Sequence, residues 1–262
     1  MTALQTVTAE LERIAPLRLA ADWDTVGLLV GPQRAVVERV MTCLTLTPEV
    51  ATEAARERAD LVVTHHPLPF RPIGRITADT GPGRALLELI QAGAGVWSSH
   101  TAWDSAAGGI NDQLADMLGL LHVAPIEPDA ETPVAGFGRA GSAGANETVA
   151  AVARRAAAGL DVRHVQIVGS AERPAGRVGI VCGSGGDTLA SVRRGGCDTL
   201  VTGELKLHDA TEALALGMAV IAVGHHASER FSMPVLAARL AATVPGLTCW
   251  ASRTEADPIG WL

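Results

Sequence analysis

The sequence predicts an α/β protein, and two observations carry that prediction. Apolar runs rich in Val, Leu and Ile recur along the 262 residues, each followed by a turn and then by an amphipathic, Ala-rich stretch. The runs are apolar on both faces, as expected for strands of a sheet covered by helices. The predicted strands span residues 40–46, 61–64, 95–97, 165–168, 178–182, 200–202 and 219–223.

Helices are predicted where apolar residues recur at intervals of three and four. The first carries Val7, Leu11 and Ile14 and should end before Pro16, because proline has no N–H to continue the helix. Two further helices are predicted at residues 110–118, after a Gly-Gly turn, and 235–240, after a proline.

A segment rich in Pro, Gly and Ala, residues 125–146, marks a boundary between two predicted lobes. The first lobe is assigned to residues 1–125 and the second to residues 126–262. An alternative is that the C-terminal part of the second segment packs back on the first lobe. Residues 40–64 also align without a gap to residues 178–202. Both read as strand, turn, helix and a strand ending in Thr, which indicates either a duplication or convergent βα patterning.

Composition excludes several classes of protein. The chain has 21 Lys plus Arg against 28 Asp plus Glu, a net charge of −7, so non-specific binding to nucleic acid phosphates is not expected. No apolar run approaches the roughly 20 residues of a membrane span, and the N-terminus does not resemble a signal peptide. The four cysteines are scattered without a C-x-x-C motif, so we expect reduced thiols in a cytoplasmic protein.

Metal-capable side chains are concentrated at the ends of four predicted strands, the edge at which open α/β sheets bind ligands. Histidine and carboxylate ligands without thiolate favour Zn, Fe(II) or Mn over Cu(I) or an iron–sulfur cluster. The side chains are His65 and His66, then His100 and Asp104, then Glu204 and His208, and finally His225, His226 and Glu229.

The adjacent pair His65 and His66 suggests two ions rather than one. Neighbouring residues at the end of a strand are expected to point to opposite sides, so each histidine could serve one of two nearby ions. Asp104 or Glu229 could then bridge the two cations. Taken alone, the His-His pair is also typical of a turn or core contact, and the spacing of His225 and Glu229 is equally typical of a helix start.

Six motifs in order resemble the dinuclear-metal-centre hexameric protein family, the Nif3-like proteins commonly labelled GTP cyclohydrolase I type 2 homologs. The resemblance covers residues 22–230, nearly the whole chain. The motifs are DWDTVGLLVG (22–31), THHP (64–67), SSHTAWDSAAGGIND (98–112), GSGGD (183–187), TGE (202–204) and GHHASER (224–230).

This resemblance implies a two-lobed α/β subunit that binds two divalent metal ions in the cleft between its lobes and assembles as a toroidal homohexamer. His100 would lie near the metals without being a ligand. Many members carry Asp where this chain has Thr45, which puts in doubt the supporting role of that position. The implied metal ligands are His65, His66, Asp104, His225 and Glu229.

Two loops of the resemblance admit alternatives. Asp22 and Asp24 flank Trp23 and belong either to a loop facing substrate or to a solvated helix exit. The GSGGD loop follows a strand, so its backbone N–H groups could bind an anion, or it could be a plain tight turn.

Two functions fit the sequence. The first is a metal-dependent hydrolase of a nucleotide-like or other small anionic substrate, with His100 and Glu204 as proton-transfer residues. The family label implies attack on the imidazole ring of GTP. The second is a non-catalytic metal-binding protein with a regulatory or interaction role, which is favoured by the lack of an unmistakable nucleophile or complete phosphate loop in the sequence.

Overall fold

The computed structural model describes residues 2–260. The chain folds into two compact units. The first comprises the described residues up to Trp103 and those from Ser232 onward, and the second comprises Asp104–Phe231. The sequence-based boundary at residue 125 falls inside the second of these ranges. No helix in the described part of the chain is long and apolar enough to cross a membrane.

The first unit is built on a five-stranded sheet of order β15-β4-β5-β6-β2. The first four of these strands are parallel and β2 is an antiparallel edge. A two-stranded ribbon of β1 and β3 stands beside it. The strands of this unit, numbered in chain order, are β1 (Thr2–Ala3), β2 (Gly27–Val30), β3 (Val36–Val37), β4 (Arg39–Cys43), β5 (Leu61–Thr64), β6 (Gly95–Ser98) and β15 (Thr248–Ala251).

The helices of the first unit follow local signals. Thr47 and Thr80 each accept a hydrogen bond from a backbone N–H of the first helical turn, so both act as N-caps for the helices that follow them. The first helix ends two residues before Pro16, as predicted. The helices of this unit are α1 (Leu4–Ile14), α2 (Pro48–Arg56), α3 (Gly81–Ala92) and α10 (Ser232–Thr243), and α4 (His100–Ser105) begins in it.

The second unit contains a six-stranded mixed sheet of order β11-β14-β13-β12-β10-β7. Its centre, β12 to β14, is parallel, while β10, β7 and β11 pair antiparallel. The strands are β7 (Leu121–Ala124), β8 (Glu127–Pro128), β9 (Gly136–Phe137), β10 (Arg139–Ser142), β11 (Gln166–Val168), β12 (Arg177–Ser184), β13 (Thr199–Glu204) and β14 (Ala219–Ala222).

Helices cover this second sheet, and their apolar residues form its core with the strands. Buried Arg139 donates hydrogen bonds to the carboxylate of Asp112 and to the backbone carbonyls of Gly136, Gly138 and Ala106, so its charge is paired although it is 1% exposed. The helices are α5 (Ile110–Met117), α6 (Val149–Gly159), α7 (Leu189–Arg194), α8 (Leu207–Ala215) and α9 (His225–Arg230).

The two aligned segments, residues 40–64 and 178–202, each form a pair of parallel strands, and the two pairs have the same register. Val40 lies opposite Leu61 and Val178 opposite Thr199, the same pairing after the offset of the alignment. The intervening helix α2 corresponds to a turn of 3-10 helix, Gly186–Thr188, followed by α7.

Asp60 in the first strand pair and Asp198 in the second make the same hydrogen bonds. The N–H of Asp60 donates to the carbonyl of Arg39 at 2.8 Å, and that of Asp198 donates to the carbonyl of Arg177 at 2.8 Å. Each carboxylate then accepts from the backbone N–H of the same arginine. Equal register together with equal side-chain contacts favours duplication over convergent patterning.

All seven predicted strands are present, with ends shifted by up to three residues. Eight strands among the described residues were not predicted: β1, β2, β3, β7, β8, β9, β10 and β15. All of them pair antiparallel except β15, which is a parallel edge strand beside β4. These strands are short or carry small and polar residues, so they lack the continuous apolar runs of the central strands.

Candidate metal centre

Three histidines of the first unit form a group that could hold a metal ion. His65 and His66 follow β5 directly, and their N–H groups continue its ladder by donating to the carbonyls of Cys43 and Leu44. His100 begins α4, just after the neighbouring strand β6. One ligand atom from each of the three imidazoles lies within 4.8 Å of the others.

The expectation that His65 and His66 point to opposite sides is wrong. Their ring centroids are 5.2 Å apart, and both belong to the same three-histidine group. Strand β5 ends at Thr64, so the two histidines lie beyond the regular strand, where side chains need not alternate. Both imidazoles can therefore serve one ion or two neighbouring ions.

Asp24 orients His100. The imidazole Nδ1–H donates to Asp24 Oδ1 at 2.8 Å, and the backbone N–H of Thr101 donates to the other carboxylate oxygen at 3.1 Å. Burial alone would raise the pKa of Asp24, but the hydrogen bonds from His100 and Thr101 outweigh burial and lower the pKa to about 2. Asp24 therefore stays ionised at neutral pH and leaves Nε2 of His100 to act in the site. Of the two acids flanking Trp23, Asp22 is exposed, whereas the Asp24 side chain is fully buried.

Thr45 takes the supporting role that the sequence analysis put in doubt. Its hydroxyl lies 2.8 Å from Nδ1 of His66, so a neutral hydroxyl stands where a carboxylate was expected. The backbone N–H groups of Leu44 and Thr45 donate in turn to the two carboxylate oxygens of Glu255, at 3.0 and 2.6 Å. The C-terminal segment thus fixes the loop that carries the partner of His66.

The second unit carries its own group of histidine and carboxylate side chains. His225 and Glu229 lie one turn apart in α9, with Nε2 and Oε2 3.2 Å apart. On its other side, His225 Nδ1 is 3.1 Å from Oε1 of Glu204, at the end of β13. The hydrogen bond to Glu229 is the largest cause that raises the pKa of His225, to about 9, and Glu204 adds to it. Two carboxylates that favour a proton on this imidazole would also favour a divalent cation.

Gly183 leaves room for this His–Glu pair. It has a φ of +65°, and a Cβ atom there would collide with Oε1 of Glu229 and come within 3.3 Å of Nε2 of His225. The N–H of Gly183 donates to the hydroxyl of Ser228 in α9, which ties this helix to β12. Glycine is therefore required here both by conformation and by the space that the carboxylate occupies.

Asp104 is held by two buried residues that sequence reasoning missed. The thiol of Cys182 donates to Asp104 Oδ1 at 3.2 Å, and the side-chain amide of Asn111 donates to the Asp104 carbonyl at 3.0 Å. Asn111 also accepts from the N–H of Cys182, so one amide joins both partners. Burial, with the charges of Asp104 and Glu229, raises the pKa of the Cys182 thiol and keeps it protonated.

The GSGGD loop has the contacts of a tight turn. The N–H groups of Gly183 and Gly185 donate to the side chains of Ser228 and Thr202, at 2.9 and 3.0 Å. A Cβ on Gly186 would collide with the carboxylate of Asp209. The N–H groups of Gly183 and Gly185 are therefore used within the protein, and the plain-turn interpretation accounts for the loop.

The donor chemistry of the two groups fits a divalent metal. Both offer imidazole nitrogen or carboxylate oxygen, and the distances within each group suit ligands that converge on one cation. His66, His100 and His225 each engage Nδ1 with a neighbouring side chain, a contact common among metal-binding histidines. In His225, Nε2 also lies 3.2 Å from a carboxylate oxygen of Glu229. The metal-capable side chains of the first unit are His65, His66 and His100, and those of the second unit are Asp104, Glu204, His225 and Glu229.

These features define a class, α/β proteins with His and Glu side chains grouped so that they could bind a metal. The model of the Duf34/NIF3 (NGG1p interacting factor 3) family matches residues 2–258, and the chain belongs to this family.

Relatives agree with this assignment. The chain is 33% identical to the GTP cyclohydrolase 1 type 2 homolog of Clostridium perfringens, over 84% of each chain. It is 31% identical to the GTP cyclohydrolase 1 type 2 of Helicobacter pylori, over 88% of each. Its fold matches a crystal structure of a Staphylococcus aureus protein with a TM-score of 0.90 and 24% identity, over 100% of this chain and 99% of the other.

Proposed function

We propose that this protein is a metal-dependent hydrolase of a nucleotide-like or other small anionic substrate. One observation supports the proposal above all. The metal-capable imidazoles of His66, His100 and His225 are oriented by hydrogen bonds between Nδ1 and neighbouring side chains. Relatives named GTP cyclohydrolase 1 type 2 or its homolog support this reaction class.

The proposed cofactor is two divalent ions, Zn, Fe or Mn, and the proposed ligands are the five side chains of the motifs. Two such ions would supply a water nucleophile at neutral pH and polarise the bond under attack. The motif HTAWD places the proposed proton-transfer residue His100 four residues before the proposed ligand Asp104. The ligands are His65, His66, Asp104, His225 and Glu229.

His100 and Glu204 are the proposed proton-transfer residues. Asp24 accepts a hydrogen bond from Nδ1–H of His100 and orients the ring, and the proposed proton transfer takes place at Nε2. Glu204 is half exposed and accepts from His225 Nδ1, so its carboxylate can orient that ligand and exchange a proton with solvent.

The metal content of the purified chain tests the ligand set. We expect about two ions per chain in the wild type, as in dinuclear hydrolytic sites. We expect a sharp loss in Asp104→Ala, because this substitution removes the carboxylate that accepts from the thiol of Cys182. The matched control is Asp116→Ala, which removes an exposed carboxylate of the same region. Elemental analysis, with circular dichroism to confirm folding, gives the result; little metal in folded, reconstituted wild type would contradict the ligand assignment.

Turnover tests the proton-transfer residues. We expect His100→Ala and Glu204→Gln to lower metal-dependent hydrolysis of GTP by roughly 10²- to 10⁴-fold with unchanged metal content. His208→Ala, in which the lost imidazole side chain is 76% exposed, should keep full activity. Full activity in both site variants would remove His100 and Glu204 from the mechanism.

A second candidate is a non-catalytic metal-binding protein with a regulatory or interaction role. The observation that favours it is the GSGGD loop, because the N–H groups of Gly183 and Gly185 donate within the protein rather than to a phosphate. A hydrolysis screen of metal-loaded protein over nucleotides, phosphodiesters and amides discriminates the two. Silence across the screen at full metal occupancy would favour the binding role.

A further inference from the structure

Two exposed aromatic side chains stand at the edge of the three-histidine group. Trp23 is 65% exposed and Phe70 is 48% exposed, with ring centroids 6.2 Å apart. Both also contact the ring of His100, at centroid distances of 5.9 and 6.2 Å. Aromatic residues make up only 3% of the chain, so two exposed rings beside a metal-capable group are a marked concentration.

The three rings do not form a parallel stack. Trp23 meets Phe70 at 59° and His100 at 77°, and Phe70 meets His100 at 81°, so the contacts are tilted or edge-to-face. Exposed rings of this size would ordinarily bury their apolar surface, and a planar ligand ring is a partner that an exposed aromatic side chain accepts.

The backbone that carries Trp23 is anchored to the site. Asp24, the next residue, is the buried partner of His100, and the carbonyl of Ala21 accepts from the N–H of Asp24. The N–H of Ala21 donates to the hydroxyl of Thr101 at 2.9 Å. The backbone on both sides of Trp23 is therefore anchored next to His100, and the ring centroid of His100 lies 5.1 Å from that of His65. A ring held by Trp23 would lie beside the proposed metal ligands.

We propose that Trp23 and Phe70 form an aromatic platform for the planar heteroaromatic ring of the substrate, with Trp23 stacking on its face and Phe70 packing against its edge, and that this platform presents the ring to His100. This inference rests on the proposed function and adds the substrate class, a ring-bearing anion rather than a simple phosphate or carboxylate. Trp23 and Phe70 determine specificity in this assignment, and the anion is bound elsewhere in the site.

Ligand binding to the full metal-loaded chain tests the platform. Isothermal titration of GTP, UTP and inorganic tripolyphosphate separates the contribution of the ring from that of the phosphates. We expect at least one nucleotide to bind the wild type more tightly than tripolyphosphate. Trp23→Leu should weaken the binding of that nucleotide about tenfold, the scale of one base–aromatic stacking contact. The affinity for tripolyphosphate should not change. Phe70→Leu should act in the same direction.

Two controls make the result specific. Trp23→Phe keeps an aromatic face and should retain most of the nucleotide affinity, while Val134→Ala removes an equally exposed apolar side chain and should change nothing. Equal affinities of the wild type for nucleotides and tripolyphosphate, or equal loss of both in Trp23→Leu, would overturn the platform. So would a loss of assembly in Trp23→Leu, measured by light scattering, because the rings would then belong to an interface between copies.

Metal content is measured on the same samples, so that failure of the platform can be distinguished from failure of the proposed function. Normal metal content without ring preference overturns the platform alone. Absent metal in folded wild type overturns the proposed function, whatever the ring preference.

Discussion

At the scale of single residues, the site depends on what holds Nδ1 of each imidazole. A hydrogen bond at Nδ1 holds the imidazole ring in one orientation. Two of the three partners are carboxylates and the third is a neutral hydroxyl. The pairs are His66 with Thr45, His100 with Asp24, and His225 with Glu204.

Replacing Thr45 tests this support for His66. Thr45→Val removes the hydroxyl and frees Nδ1, so we expect metal affinity to fall by roughly 10- to 100-fold. Competition with a chromogenic chelator measures this affinity. Thr45→Ser keeps the hydroxyl and should retain wild-type affinity, and Thr45→Asp should match or exceed it. Unchanged affinity in Thr45→Val would show that the hydroxyl does not support the ligand.

At the scale of elements, a buried carboxylate of α2 fastens the C-terminal segment to the first sheet. Glu53 is 3% exposed and accepts hydrogen bonds from the hydroxyl of Ser252 at 2.6 Å and the N–H of Arg253 at 2.9 Å. The N–H of Thr254 donates to the same carboxylate at 3.2 Å. Glu255, next in the chain, then binds the loop of Thr45, so α2, the C-terminal segment and His66 are linked.

Glu53→Gln tests the attachment and its pH dependence. Burial alone would raise the pKa of Glu53, but hydrogen bonds from Ser252, Arg253 and Thr254 outweigh burial, and the pKa is lowered. A lowered folded-state pKa contributes stability above the ordinary value of 4.5, and that contribution is lost as pH falls through the folded pKa. At pH 7 the variant should lose about 2 kcal/mol of unfolding free energy.

The measurement is urea denaturation across pH. The difference between wild type and Glu53→Gln should be constant from pH 7 to about 5 and shrink below the ordinary glutamate pKa. Glu12→Gln, an exposed carboxylate of α1, should show little difference at any pH. A difference that grows on acidification would contradict the sign of the shift.

At the scale of the whole molecule, we propose a homohexamer, which the family resemblance implies. Six copies of a 27.0 kDa chain give a mass of about 160 kDa. Light scattering on the size-exclusion eluate at two protein concentrations measures it. A mass of one or two chains at both concentrations would refute the hexamer, while the metal assignment would stand or fall by its own test.

Much of the fold was accessible from sequence because the central strands are continuous apolar runs. Strand β5 was predicted with both ends correct. The alignment of residues 40–64 with 178–202 indicated duplication or convergent patterning, and the structure gives the two segments the same strand register. The other strands were missed because pairing with a neighbour, rather than an apolar pattern, makes them strands. The described residues from Ser232 onward belong to the first unit, because β15 pairs with β4. This long-range pairing is not encoded in the local pattern that placed the boundary at residue 125.

The sequence by itself determined the α/β class, the family and the residue types of the candidate site, because apolar runs and motif order are local properties of the chain. Only the tertiary structure decided which atoms meet: Thr45 with His66, Asp24 with His100 and Cys182 with Asp104. These pairs join residues 21 to 78 positions apart, and their contacts depend on strand ends and loops converging in space. Side-chain partners of that kind follow from packing, which no local pattern encodes.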